Sequence, residues 1–211
     1  MTRPHFDPVL YTVAIADLRP TQMTVGLIEV ERRRRSWRKL AGEERHAYLA
    51  QHMVPTVIGP KDRRYIVDHH HLCRALHEEG EAGVFALTLA DLSKLEKGRF
   101  WSFMDHKGWS HPYDAKGTRH DFEDIPRTVA ELEDDPHRSL STAVRRAGGF
   151  AKDATPFSEF LWADYFRDVV KASTIRDNFD DAVAKALELA RSKDANYLPG
   201  WCGPSGKGGG A

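Results

Sequence analysis

Hydrophobic and polar positions fall into two periods along the chain, and where the period changes the elements change. The stretch "YTVAIADL" carries a short apolar strand over residues 11–15, halted by "RPTQ", where Pro20 and Thr21 suit a turn leading toward a helix. From Gly26 the spacing is helical: Val30, Trp37 and Leu40 fall on one side, while Glu31 and Arg32 to Arg35 face mostly outward. A second helix is expected from Glu43 to His52. "VPTVIGPKDRRYIVD" then reads as two strands around a turn at Gly59 and Pro60, the second strand holding Tyr65 to Val67. The next helix runs from about His69 to Glu79, with Leu72, Ala75, Leu76 and Glu79 along one face and Gly80 as its left-handed cap. The strand "VFALTLA" follows it.

The order up to residue 92 (strand, helices, hairpin, helix, strand) predicts an α+β fold, a small mixed sheet with helices, and not a regular βαβ series. Beyond it the texture is aromatic-rich and mostly helical, in "RFWSFMDHKGW", "TVAELEDDPHRSLSTAVRRAGGF", "PFSEFLWADYFRDVV" and "FDDAVAKALELARS". Gly, Pro, His and Asp residues gather in 107–121, the expected long loop. The expected division is therefore a domain over residues 8–92, a helical C-terminal part over 93–201 packed on it, and a disordered glycine-rich tail over 202–211.

Composition narrows the field only slightly. The 211 residues carry 31 Lys plus Arg against 31 Asp plus Glu, with 11 His, so net charge names no partner. Cys73 and Cys202 are far apart and in unlike contexts, poor material for a disulfide framework or a four-ligand zinc site, which fits a reducing compartment. No stretch approaches the roughly 18 continuous apolar residues of a membrane span, and "MTRPHFDPVLYTVAIADLRP" lacks a signal-peptide core. These features predict a cytoplasmic protein with no membrane partner.

The candidate chemistry centres on "YIVDHHHLCRAL", residues 65–76. Asp68 stands where a strand ends and a helix starts, so its carboxylate suits capping, and the same helix end is a ready anion site. Successive helical residues are about 100° apart, so His69, His70 and His71 cannot share one ion. His70, Cys73 and His77 do share a face, yet no HExxH or CxxC motif adds ligands, and the metal is left unassigned. His70, Arg74 and His77 form a stripe that is either a cleft wall or a solvated face.

Other stretches carry weaker signals. Arg19, Thr21 and Gln22 follow the first strand, and Gly26 with Glu29 opens the next helix. Glu29 or Glu31 is placed to act as a general base or to hold Mg²⁺ through water, or is simply an acidic first turn. "ERRRRSWRK" joins four arginines to Trp37, a cluster that suits single-stranded nucleic acid or, spread around a helix, a solvated face with salt bridges. "DDPHRSL" places Asp134, Asp135, Arg138 and Ser139 at a helix start, with Asp135 or Ser139 as the cap and Arg138 as a ligand for an acid. "GWCGPSGK" lacks P-loop spacing.

Taken whole, "VDHHHLCRAL" resembles the strand, turn and helix of the ParB/sulfiredoxin superfamily, whose common form runs Asp-Gly-His-His-Arg. "DLRPTQMTVGLIEV", "DDPHRSLSTAVRRAGGF" and "PFSEFLWADYFR" look like its ParB-like branch, which includes ParB-like nucleases. The resemblance implies that the helix end takes nucleotide phosphates, with Asp68, His70 and His71 at the motif positions. His69 replaces the motif glycine and Leu72 the motif arginine, with Arg74 as a partial substitute one turn on. It also implies that the turn bearing Arg19, Thr21, Gln22 and Gly26 faces this helix. Superfamily uses range over a CTP-gated clamp, sulfinic acid reduction, free amino acid phosphorylation and nucleic-acid cleavage. Reduction is set aside, because His70 stands where that chemistry needs cysteine. The expected function is nucleotide binding with hydrolysis or phosphoryl transfer. Its catalytic set is Glu29, Glu31, Asp68 and His70. Its phosphate-binding set is Arg19, Thr21, Gln22, Gly26, His69, His70, His71 and Arg74, with Asp135, Arg138 and Ser139 as secondary candidates and Mg²⁺ accompanying the nucleotide. The alternatives are a DNA nuclease or nucleic-acid-binding protein, and a non-catalytic ligand-binding or switch module.

Overall fold

Residues 11–204 are described by a computed structural model. The expected tail from 205 onward, and residues 8–10 of the expected first domain, lie outside the described residues. In chain order the strands are β1 (Tyr11–Ala14), β2 (Leu18–Arg19), β3 (Thr24–Val25), β4 (Val54–Gly59), β5 (Arg63–Ile66), β6 (Gly83–Asp91) and β7 (Glu133–Asp134). The α-helices are α1 (Leu27–Arg38), α2 (Glu43–Gln51), α3 (His70–Glu78), α4 (Lys97–His106), α5 (Pro136–Arg146), α6 (Ser158–Val169), α7 (Ala172–Asp177) and α8 (Phe179–Ala190). The class is α+β.

The chain forms two compact units that interleave in sequence. The first holds the chain up to Thr21, Arg33–Ser110 and Ile125–Leu132; the second holds Gln22–Arg32, His111–Asp124 and Glu133 onward. One cut at residue 92 therefore does not describe the chain. Helix α4 lies beyond that point, yet its Phe100 packs on Tyr65 of β5 at 4.7 Å between ring centroids.

In the first unit five strands form one mixed sheet in the order β1-β6-β4-β5-β2. β4 and β5 make the expected hairpin, pairing Val57 with Tyr65, but its turn is a short 3₁₀ segment, Pro60–Asp62, in which Lys61 and Asp62 take the positive φ. β2 runs parallel to β5, with Arg19 opposite Tyr65, so the carboxyl ends of the two strands lie side by side. α3 starts just past that end. It buries Leu72, Cys73, Ala75 and Leu76, and Gly80 at φ 74 closes it while Glu81 donates back to the Leu76 carbonyl. Glu79, expected on the buried face, instead meets Arg34 and Arg38 in ion pairs.

In the second unit β3 and β7 pair in parallel, and α5 to α8 enclose a core built on Leu140, Trp162, Phe166 and Ile175. Phe150 stacks on Trp162 at 4.1 Å. Asp135 caps α5 by accepting the His137 N–H at 2.9 Å, with Pro136 in the first turn where a missing N–H costs nothing.

Candidate functional site

The histidine turn is built by an unusual backbone. His69 is the N-cap residue of α3 and sits at φ 68, ψ 24, the left-handed region that favours glycine, and no side chain caps the helix. The glycine of the resembled motif thus has a physical reason, and His69 occupies the position at a cost. Asp68 does not cap the first turn; its Oδ1 accepts the N–H of His69 itself at 2.6 Å. The first intrahelical bond runs from the Cys73 N–H to the His69 carbonyl, 2.9 Å, so the amide groups of the first turn lie outside the helical ladder. Burial, only partly opposed by Asp68 and by a bond to the His52 backbone, holds His69 below its ordinary 6.5 and keeps it neutral near pH 7.

His70 points inward and is 3 % exposed. The Thr21 N–H donates to its Nε2 at 3.1 Å, and the Thr21 hydroxyl donates to the Ile66 carbonyl at 2.7 Å. A ring nitrogen that accepts from a backbone N–H carries no proton, so Nε2 of His70 is occupied as an acceptor and cannot itself donate to a phosphate in this geometry. Arg74 is also engaged elsewhere. Its Nη1 donates to the carbonyls of Val129, Ala130 and Leu132 at 3.2, 2.7 and 2.9 Å, and its Nε to Glu78 at 2.7 Å. The stripe His70, Arg74, His77 is therefore no cleft wall. Leu72 is core, and burial pushes the Cys73 thiol up to about 12, out of reach of thiolate chemistry. His71, half-buried, stays at the first turn. Arg19 ends β2, half-buried, and among the described residues its side chain has no ion pair or hydrogen bond.

Several expected site residues belong to the second unit and serve its packing. Glu29 is 3 % exposed and takes Arg32 on both oxygens at 2.8 and 2.9 Å and Arg146 at 2.6 Å. Burial alone would raise its pKa, but the two guanidinium groups outweigh it and hold the carboxyl at about 2. So clamped, it is neither a general base near neutral pH nor open to Mg²⁺. Glu31 is half-buried, and among the described residues no group of three His, Cys, Asp or Glu side chains is placed to hold a metal. Gly26 lies against α5: a Cβ there would stand 2.6 Å from the Ser139 backbone N and press on its Oγ. Gln22 donates to the Thr24 carbonyl at 2.6 Å. Asp134 accepts the Leu27 N–H at 2.9 Å. Asp135, besides its cap, takes Arg167 at 2.6 Å, and the Arg138 guanidinium lies 3.6 Å from the Phe160 ring centroid. These are structural roles.

The chain matches, over residues 11–168, the model of a family described as "Putative ParB-like nuclease". It belongs to the ParB-like nuclease family. Among solved structures this ParB-like chain is similar to protein Atu1540 from Agrobacterium tumefaciens, at 48 % identity and a TM-score of 0.86, over 94 % of this chain and 100 % of that one. No curated protein matches it.

The basic cluster of this ParB-like chain is largely neutralised within the fold. Arg32 pairs with Glu29, Arg34 with Glu78 and Glu79, Arg38 with Glu79, and Arg45 with Glu81. The solvated, salt-bridged reading of "ERRRRSWRK" thus describes these arginines. No helix among the described residues is long and apolar enough to cross a membrane. The ion pair of Arg167 with Asp164 follows the charge pattern of "FSEFLWADYFR", whereas its pair with Asp135 and the role of Arg146 have no such signal. Arg146 reaches a carboxylate 117 residues away, a distance at which no local pattern signals a pair.

Proposed function

We propose that this ParB-like chain holds the phosphate groups of a nucleotide, or of a nucleic-acid strand, at the amino end of α3, and that its chemistry is phosphoryl hydrolysis or transfer. One observation carries the reading: α3 begins without a side-chain cap, at the carboxyl ends of two parallel strands, with the otherwise unpartnered Arg19 closing one of them. The positive end of the α3 dipole and the Arg19 guanidinium supply the attraction, and His69 and His71 line the approach. Asp68, exposed beside this end, is the carboxylate placed to take a proton from an attacking hydroxyl. Mg²⁺ would arrive on the nucleotide phosphates, because Glu29 is committed to arginines. Membership in a family of ParB-like nucleases supports nucleic acid as the phosphate source.

Thermal unfolding with MgATP, MgCTP, MgGTP and a single-stranded oligonucleotide tests the reading, since a ligand of the native state raises the midpoint by mass action. Stabilisation that Arg19→Ala abolishes is expected. A response that survives Arg19→Ala unchanged places the phosphate elsewhere. Release of phosphate or of cleaved strand, lost in Asp68→Asn, decides between catalysis and a binding module.

A further inference from the structure

The resembled motif assigns its histidine to the phosphate, yet here that side chain is inside. We infer that His70 is a positioning residue: as a neutral hydrogen-bond acceptor it fixes the turn that carries Arg19 against the first residue of α3. This deepens the phosphate-binding reading and rests on it.

Two hydrogen bonds and one ladder pairing define the device. The Thr21 N–H donates to His70 Nε2 at 3.1 Å, the Thr21 hydroxyl donates to the Ile66 carbonyl at 2.7 Å, and Arg19 is paired with Tyr65 in the parallel ladder. Thr21 is 1 % exposed and His70 3 % exposed, so water cannot replace these partners without opening the fold. β2 is only two residues long, too short to orient the chain beyond Arg19 by its own ladder. The Thr21 contacts supply that orientation. The required tautomer follows: Nε2 bears the lone pair, so the ring proton is on Nδ1. A doubly protonated ring would present a donor to a donor and lose the turn.

The test is spectroscopic first. In the ¹⁵N-labelled full chain, an N–H···N bond transmits a scalar coupling between the Thr21 amide nitrogen and His70 Nε2. We expect that coupling, and an Nε2 shift of an unprotonated nitrogen, in the absence of any ligand. No coupling, or a protonated Nε2, overturns the inference. Binding of pyrophosphate is then compared in wild type, His70→Phe, Arg19→Ala and the double variant. A positioning role predicts at least tenfold weaker binding in His70→Phe, no further loss when that change is added to Arg19→Ala, and recovery in His70→Gln, whose amide oxygen accepts from Thr21. Losses that add independently mean that His70 touches the anion, and the inference fails. If wild type binds no pyrophosphate, the phosphate reading falls by itself, while the coupling, with the amide signals of residues 19–21 in His70→Gln and His70→Phe, still decides what sets the turn. Should His70→Phe fail to fold, the wild-type coupling and His70→Gln suffice.

Discussion

Glu29 offers the sharpest numerical test. Its carboxylate is buried between Arg32 and Arg146, which are 50 % and 37 % exposed on their side chains. The fall from an ordinary 4.5 to about 2 means that the folded state prefers the ionised form. That preference is worth about 3 kcal/mol near neutral pH. A carboxyl whose pKa is depressed on folding stabilises fully above its unfolded value, and the stabilisation drains away as pH falls through the folded value. Most of it should therefore survive at pH 4, and about 1 kcal/mol should remain at pH 3. Glu29→Gln keeps the volume and removes the charge, and the two arginines it releases are exposed enough to turn toward water. We expect a loss of about 2–3 kcal/mol at pH 7 in urea unfolding, shrinking steadily below pH 4.5. A loss under about 0.5 kcal/mol at pH 7, or one that is the same at pH 7 and pH 3, would show that the clamp does not carry this energy.

Gly26→Ala forces a methyl onto the Ser139 backbone and should cost about 2 kcal/mol by overpacking, read as a lower urea midpoint at constant slope; no change would mean that α5 shifts freely. His69→Gly relieves a left-handed residue and should stabilise by about 1 kcal/mol, so a lower melting temperature would contradict the strain. In native protein a thiol reagent should titrate Cys202, which is exposed, with Cys73 reacting only on unfolding; rapid reaction of both would refute the buried, raised thiol. Arg34→Gln with Arg38→Gln should leave the affinity for single-stranded DNA and its salt slope unchanged, because Glu78 and Glu79 already occupy these arginines; a flattened slope would restore the cluster as a nucleic-acid surface.

What the sequence made legible was local. Gly80, Asp135 followed by Pro136, and the apolar spacing of Leu72, Ala75 and Leu76 each act within a few residues, and each does what its spacing predicts. The site was harder. A helical wheel puts His70 and Arg74 on one stripe, but it does not show that Thr21 brings an N–H to one or that residues 129–132 bring three carbonyls to the other. Glu29 reads as an acidic first turn until Arg146 arrives. In each case the deciding partner is remote in sequence, so the side chain's chemistry was visible and its occupation was not. His69 shows the reverse: a departure from a motif glycine proves to be a residue held in the left-handed region.

The interleaving of the two units bears on how the chain is made. As it leaves the ribosome, the first unit cannot close when the sheet strands are out, because residues 125–132, on whose carbonyls Arg74 docks, come after the entire sheet. The second unit waits longer still, since its earliest segment, Gln22–Arg32, must be held until α5 delivers Arg146. Translation therefore exposes a first unit that has its sheet but not the segment that docks on α3, a window in which uncovered apolar surface invites association. Fragments ending near residue 92 should be insoluble, and useful pieces of this protein will not come from cutting it between its expected domains.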